Sequence, residues 1–277
     1  MNKLLTVIAA VVGTAAIFLA TRGQVFSHVT ANGPSLRVFE TGQGTSTVVF
    51  EAGAGGPLET WCRVQGAVAE FARTISYDRA GNGLSSKGAT PRDGRNVAVE
   101  LHAALQSAGV PPPYVLVGHS LGGPYIRVFA GMYPDEVAGL VLVDPTQEDL
   151  VAWAKARDPK PENPRKFRHD DEVDCASFTF EQARQSQIPV RIPVILIAGM
   201  GPAVVPAFIP SAFKEEAKKD HEDLYPAKLK FYEDWLRKIP NGRLVTTENS
   251  GHGIPFEEPQ LVIDAVKEIV QGRAIAN

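Results

Sequence analysis

The sequence predicts an α/β protein, a mostly parallel sheet with helices on both faces. Three observations lead there. Residues 47–50, 115–117, 139–143 and 194–198 are short, almost wholly apolar runs, as strands buried on both faces require. Between them stand segments with apolar residues at helical spacing. Glycine-rich turns follow several of the strands. A chain of 277 residues, 44% hydrophobic and 21% charged, has enough apolar material for one large domain with a small insertion. A net charge of -3 gives no basis for a nucleic-acid surface, and no Walker A phosphate loop occurs.

The first stretch stands apart. Lys3 precedes an uncharged run at residues 4–20, and polar chain begins at Thr21-Arg22-Gly23. Residues 1–24 are therefore expected to be an export signal or an N-terminal membrane anchor. Either puts the remainder, residues 25–277, outside the cytoplasm: periplasmic, extracellular or held at a membrane through residues 4–20. Cleavage after Ala20 would place Phe18 where a small residue is preferred, so the two readings stay open.

Next come two short strands near 27–30 and 35–40, with the hairpin signal Asn32-Gly33 between them. Residues 47–50 form a buried strand, and Glu51-Ala52-Gly53-Ala54-Gly55-Gly56-Pro57 a loop. A helix is expected over about 60–72 and a strand over 74–78, ended by Arg79-Ala80-Gly81-Asn82-Gly83. Residues 96–108 read as a helix with Val97, Val99, Leu101 and Leu105 apolar, stopping at Gly109 before three prolines. A strand at 115–117 and a helix at 123–133 follow, then a strand at 139–144. Residues 146–190 break the rhythm with charge and proline and read as an insertion over the sheet, its charges solvated. A strand at 194–198, a mostly helical 212–238, a strand at 244–247 and a closing helix at 258–271 complete the chain.

The centre is Gly118-His119-Ser120-Leu121-Gly122, between an apolar strand and a helix. G-x-S-x-G in that setting is a nucleophile elbow, a tight turn that strains the serine backbone and lifts its hydroxyl clear of the sheet. A serine hydroxyl needs a base, usually histidine. Of six histidines, His252 lies in Ser250-Gly251-His252-Gly253, a loop of small residues after the last strand. His119 adjoins the nucleophile, but its side chain must point away from that of Ser120. Charge on an attacked carbonyl oxygen needs fixed N–H donors. Leu121 supplies one by its place after the serine. Ala54, in the loop after 47–50, is the expected second. That loop falls short of a dinucleotide turn, which needs glycine where Leu58 stands.

The E-A-G-A-G-G loop, Y-D-R-A-G-N-G-L-S at 77–85, V-G-H-S-L-G-G-P-Y at 117–125, G-L-V-L-V-D-P at 139–145 and S-G-H at 250–252 together resemble the α/β-hydrolase-fold serine hydrolases, of esterase and lipase type. The motifs run in family order over nearly everything after residue 24. The resemblance implies an eight-stranded sheet, a cap between Asp144 and Val194, and no cofactor or metal. It also exposes a departure. Most of the family carries the third catalytic group, an acid, after the strand before the last. Here that strand runs into Gly199-Met200-Gly201-Pro202, and the next carboxylate is Glu215. Other members keep the acid one strand earlier, where this chain has Asp144. A helix of about twelve residues descends roughly 18 Å and a six-residue strand returns roughly 20 Å, so Asp144 comes back to the edge that carries Ser120. Asp220, Glu222 and Asp223 are the rivals.

The expected activity is cleavage of a small-molecule ester through an acyl-Ser120 intermediate, with a lactone or thioester as variants. The other class is a binding protein that kept the fold and lost catalysis, for which the empty acid position argues. Phe208 or Phe213 is expected to line an acyl pocket. Cys62 and Cys175 are expected to form a disulfide that pins the cap near the site.

Overall fold

The computed structural model of the chain describes residues 25–30, 33–157, 168, 170–201 and 211–272, and within 211–223 the backbone alone. The stretch 1–24 and Phe208 lie outside the described residues, as do the side chains of Phe213, Asp220, Glu222 and Asp223.

Eight strands form one sheet: β1 (Val25–Thr30), β2 (Ser35–Thr41), β3 (Thr47–Glu51), β4 (Arg73–Tyr77), β5 (Tyr114–His119), β6 (Val137–Val143), β7 (Val194–Gly199) and β8 (Gly242–Thr247). Their spatial order is β1-β2-β4-β3-β5-β6-β7-β8. β2 pairs antiparallel with both β1 and β4, and every other pair is parallel. The carboxyl ends of β3, β5, β6, β7 and β8 therefore share one edge.

Successive residues of a strand face opposite sides. Leu116, Leu140, Leu142 and Leu196 enter one core layer, with Ile126, Phe129, Tyr232 and Leu236 from helices. Val115, Val117, Val141, Val143, Ile195 and Ile197 enter the other, with Trp61, Val262 and Val266. Both faces are covered, which is why these strands read as unbroken apolar runs.

The helices are α1 (Gln65–Val68), α2 (Gly94–Ser107), α3 (Gly122–Met132), α4 (Glu148–Arg157), α5 (Ala176–Gln185), α6 (Ser211–Leu236), α7 (Ile254–Glu257) and α8 (Pro259–Val270). α2 begins before residue 96 because the Asp93 carboxylate caps it, accepting from Asn96 N–H at 3.0 Å. The helix expected over 60–72 is instead a 3-10 turn, Leu58–Trp61, followed by the short α1. Two anchors interrupt it. Leu58 N–H donates to Asp78 Oδ1 at 2.7 Å, and the Gln65 amide is bound by Thr74, Ser76 and the Phe39 carbonyl. Between them Trp61 is fully buried.

No disulfide joins Cys62 and Cys175. Cys62 is exposed beside the 3-10 turn, whereas Cys175 is enclosed at the start of α5. The expected cross-link is corrected accordingly. The β6–β7 segment meets the site loop through another side chain, Glu172.

Candidate active site

Ser120 sits at the tip of β5 with φ of 53°. The turn is held from both ends: Ser120 N–H donates to Val143 O at 3.1 Å, and Ser120 O accepts from Gly123 N–H at 3.0 Å. A Cβ on Gly118 would lie 2.6 Å from the Gly122 carbonyl oxygen, and one on Gly122 would lie 2.4 Å from that of Glu51. Both positions therefore require glycine for space alone, as the motif anticipates.

Asp144 follows β6 and also has a positive φ, 41°. Its Oδ2 lies 2.7 Å from His252 Nδ1. Oδ1 accepts from Gly199 N–H at 2.9 Å and lies 2.5 Å from Lys228 Nζ. Burial alone would raise the carboxyl pKa; the His252 hydrogen bond and the Lys228 charge outweigh it and hold Asp144 below the usual carboxylate range. Of the expected residues, the structure thus brings Asp144 and His252 into contact on the edge that carries Ser120. His252 itself is solvent-facing, its side chain 60% exposed against 4% for Asp144.

Two neighbours support the histidine. His119 Nε2 lies 2.8 Å from the His252 carbonyl oxygen, and the two rings are 4.7 Å apart. Burial first, then the neighbouring His252, pushes the His119 pKa down to about 4, so at working pH it is a neutral ring that donates Nε2–H. Its ring leans onto the His252 loop. Lys228 was not foreseen. It arrives from α6, 6% exposed, and its Nζ also donates to the Gly199 carbonyl at 2.7 Å. A lysine inside a long charged helix carries no sequence signal for this role. Tyr232, one turn on, donates to the Pro145 carbonyl at 2.7 Å, and Tyr225 to the Gly201 carbonyl at 2.6 Å. α6 thus packs on the tips of β6 and β7, the second of which carries no acid.

The loop after β3 lies against the elbow: a Cβ on Gly53 would meet Ser120 Cβ at 3.1 Å. Ala54 is exposed. Among the described residues, no acceptor takes the N–H of Leu121 or of Ala54. Arg79, buried at 1% exposure, lies under this loop, donating to the Ala52 carbonyl at 2.6 Å and to that of Gly53. Among the described residues there is no group of three or more His, Cys, Asp or Glu side chains placed to hold a metal ion. The arrangement offers a hydroxyl on a strained turn, an imidazole with Nδ1 taken by a carboxylate, and two unengaged N–H groups. Those are the parts that acyl transfer requires.

A family model described as the alpha/beta hydrolase fold matches residues 46–173. A protein of uncharacterised function from Bacillus subtilis, YqjL, is 25% identical over 226 residues, which is 80% of this chain and 83% of that one. The human (lyso)-N-acylphosphatidylethanolamine lipase is 30% identical over 183 residues; these are 64% of this chain but only 48% of the relative. The solved structure of a thermophilic esterase from Thermogutta terrifontis superposes with a TM-score of 0.59 at 20% identity, covering 90% of this chain and 99% of that one. Sheet order, elbow and family match agree: the chain is an α/β-hydrolase-fold protein. At the coarser level of activity, the family match and the fold support a hydrolase.

Proposed function

We propose that the protein is a serine hydrolase that cleaves a small carboxylic ester, exported or membrane-held through residues 4–20. The observation that carries this reading is the Asp144–His252 contact on the sheet edge where Ser120 stands in its strained turn. With Nδ1 engaged, His252 Nε2 accepts the Ser120 proton as Oγ attacks the ester carbonyl. The oxyanion is received by the N–H groups of Leu121 and Ala54. His252 then protonates the departing alkoxide, leaving acyl-Ser120. Water, activated by the same ring, releases the acid and restores the serine. A lactone or thioester fits the same steps. The binding-protein alternative draws its support from the empty position after β7, and the Asp144–His252 bond weighs against it.

Incubation of the protein with a fluorophosphonate, followed by intact-mass measurement, tests this. The expected result is one adduct per chain, lost in Ser120→Ala, together with a burst of nitrophenol from p-nitrophenyl acetate. A wild-type chain that takes up no label and shows no burst overturns the reading.

A further inference from the structure

Beneath the β3 loop lies a fully enclosed ionic cluster that the acyl-transfer steps do not use. Arg79 Nη1 meets Glu51 Oε1, and its Nε and Nη2 each meet a Glu172 oxygen at 2.8 Å. Glu172 comes from the segment between β6 and β7 and is 7% exposed. Its Oε2 also accepts from Gly55 N–H at 3.1 Å, and its Oε1 from Asn82 Nδ2 at 2.8 Å. The Arg79 guanidinium stacks 5.1 Å from the centre of the Tyr125 ring, on the helix that follows Ser120.

Planarity turns this cluster into a statement about Ala54. In a trans peptide the C=O and the next N–H point in opposite directions. The Gly53 carbonyl is drawn to Arg79 and to Gly56 N–H, the latter at 3.0 Å. The Ala54 N–H of the same peptide must therefore point away from Arg79. That is the side on which no acceptor among the described residues takes it. Were this peptide to turn over, a carbonyl oxygen would stand where a donor is needed. A loop with glycine at 53, 55 and 56 has of its own only the Gly56 N–H bond to prevent that.

We propose that Arg79 and Glu172 are positioning residues that lock the Gly53–Ala54 peptide with its N–H available to the oxyanion, so that Glu172 governs whether the hole is formed. The inference rests on the acyl-serine reading above. Glu172 does two things at once: it fills the guanidinium face that Glu51 leaves open, and it holds Gly55 N–H. Burial alone would raise its pKa, but the Arg79 charge, with the Gly55 and Asn82 bonds, holds it below the usual glutamate range. The lock thus stays ionised at neutral pH. Loss of the Glu172 carboxylate would free Arg79, and with it the peptide.

Arg79 is too deeply paired to remove cleanly, since its loss strands two buried carboxylates. Glu172→Gln keeps the shape and removes one charge. On p-nitrophenyl acetate it is expected to lower kcat by about 10- to 100-fold with KM changed less than about twofold, somewhat less than the loss of a whole oxyanion donor. Asp170→Asn, whose side chain pairs with Arg168 and Lys87 at the surface, should leave kcat unchanged. Ala54→Pro deletes the N–H itself. If Glu172 acts through that N–H, adding Glu172→Gln to Ala54→Pro costs little more than Ala54→Pro alone. Unchanged kcat in Glu172→Gln, a fall matched by loss of folded protein in circular dichroism, or full additivity in the double variant overturns the proposal. A wild type that takes up no fluorophosphonate and shows no burst defeats the acyl-serine reading instead, so the two failures are separable.

Discussion

Ser120 and Asp144 share a backbone conformation that residues with side chains seldom adopt, with φ of 53° and 41°. Each such residue costs on the order of 1–3 kcal/mol and persists only where its surroundings impose it. Asn tolerates this region well, so Asp144→Asn should keep the fold. It leaves His252 Nδ1 without a carboxylate, and kcat is expected to fall by up to about 10⁴-fold. Near-normal turnover in Asp144→Asn would place the acid elsewhere. Lys228 gives a second prediction. Replacing it with Met leaves Asp144 buried beside one hydrogen-bonded histidine, at a cost of about 3 kcal/mol near pH 7. Asp144 has a depressed pKa in the fold, so the stability it contributes is present above its unfolded value of about 3.9 and is lost as pH falls through the lower folded value. The gap between wild type and Lys228→Met should therefore narrow below about pH 4. Urea unfolding at pH 7, 5 and 3.5 would measure it, and a constant gap would show that Lys228 does not act through Asp144.

At the level of elements, the strand–turn–helix around Ser120 was legible because sterics leave it almost no choice of residue. Gly122 faces the Glu51 carbonyl oxygen at a distance no Cβ can occupy, so Gly122→Ala should lower the melting temperature by several degrees or prevent folding. Gly66 in α1 has open space around its would-be Cβ, and Gly66→Ala should raise stability by roughly 0.5–1 kcal/mol. Thermal melts of the pair decide the matter; equal shifts would mean that crowding at the elbow is not what selects glycine. The segment after Pro57 was misread for a physical reason. Its apolar spacing suits a helix, but Leu58 and Gln65 spend their hydrogen bonds on β4 and its tip, and tertiary contacts override the local pattern. The Arg79–Glu172 pair was illegible for a different reason. Charged residues in a polar loop and an acidic stretch look solvated until the fold encloses them, and nothing in their spacing announces the meeting.

For the whole molecule, the sheet could be read because strands buried on both faces leave unbroken apolar runs, and Val115–Val117 and Gly139–Val143 do so at the centre. The order of β4 outside β3, and the reversal of β2, belong to long-range pairing that periodicity does not encode. The predicted disulfide failed at this scale too, because two cysteines in one chain say nothing of which side of a wall each will occupy. That wall has a practical consequence. The 277-residue chain has two thiols, one facing solvent beside Trp61 and one sealed at the start of α5. A native sample should couple one maleimide dye per chain, at Cys62, and accept a second only after unfolding. The protein thus carries a built-in address for a fluorophore, a few residues along the chain from Ala54. Two dyes on the native chain would reveal that α5 lifts open in solution.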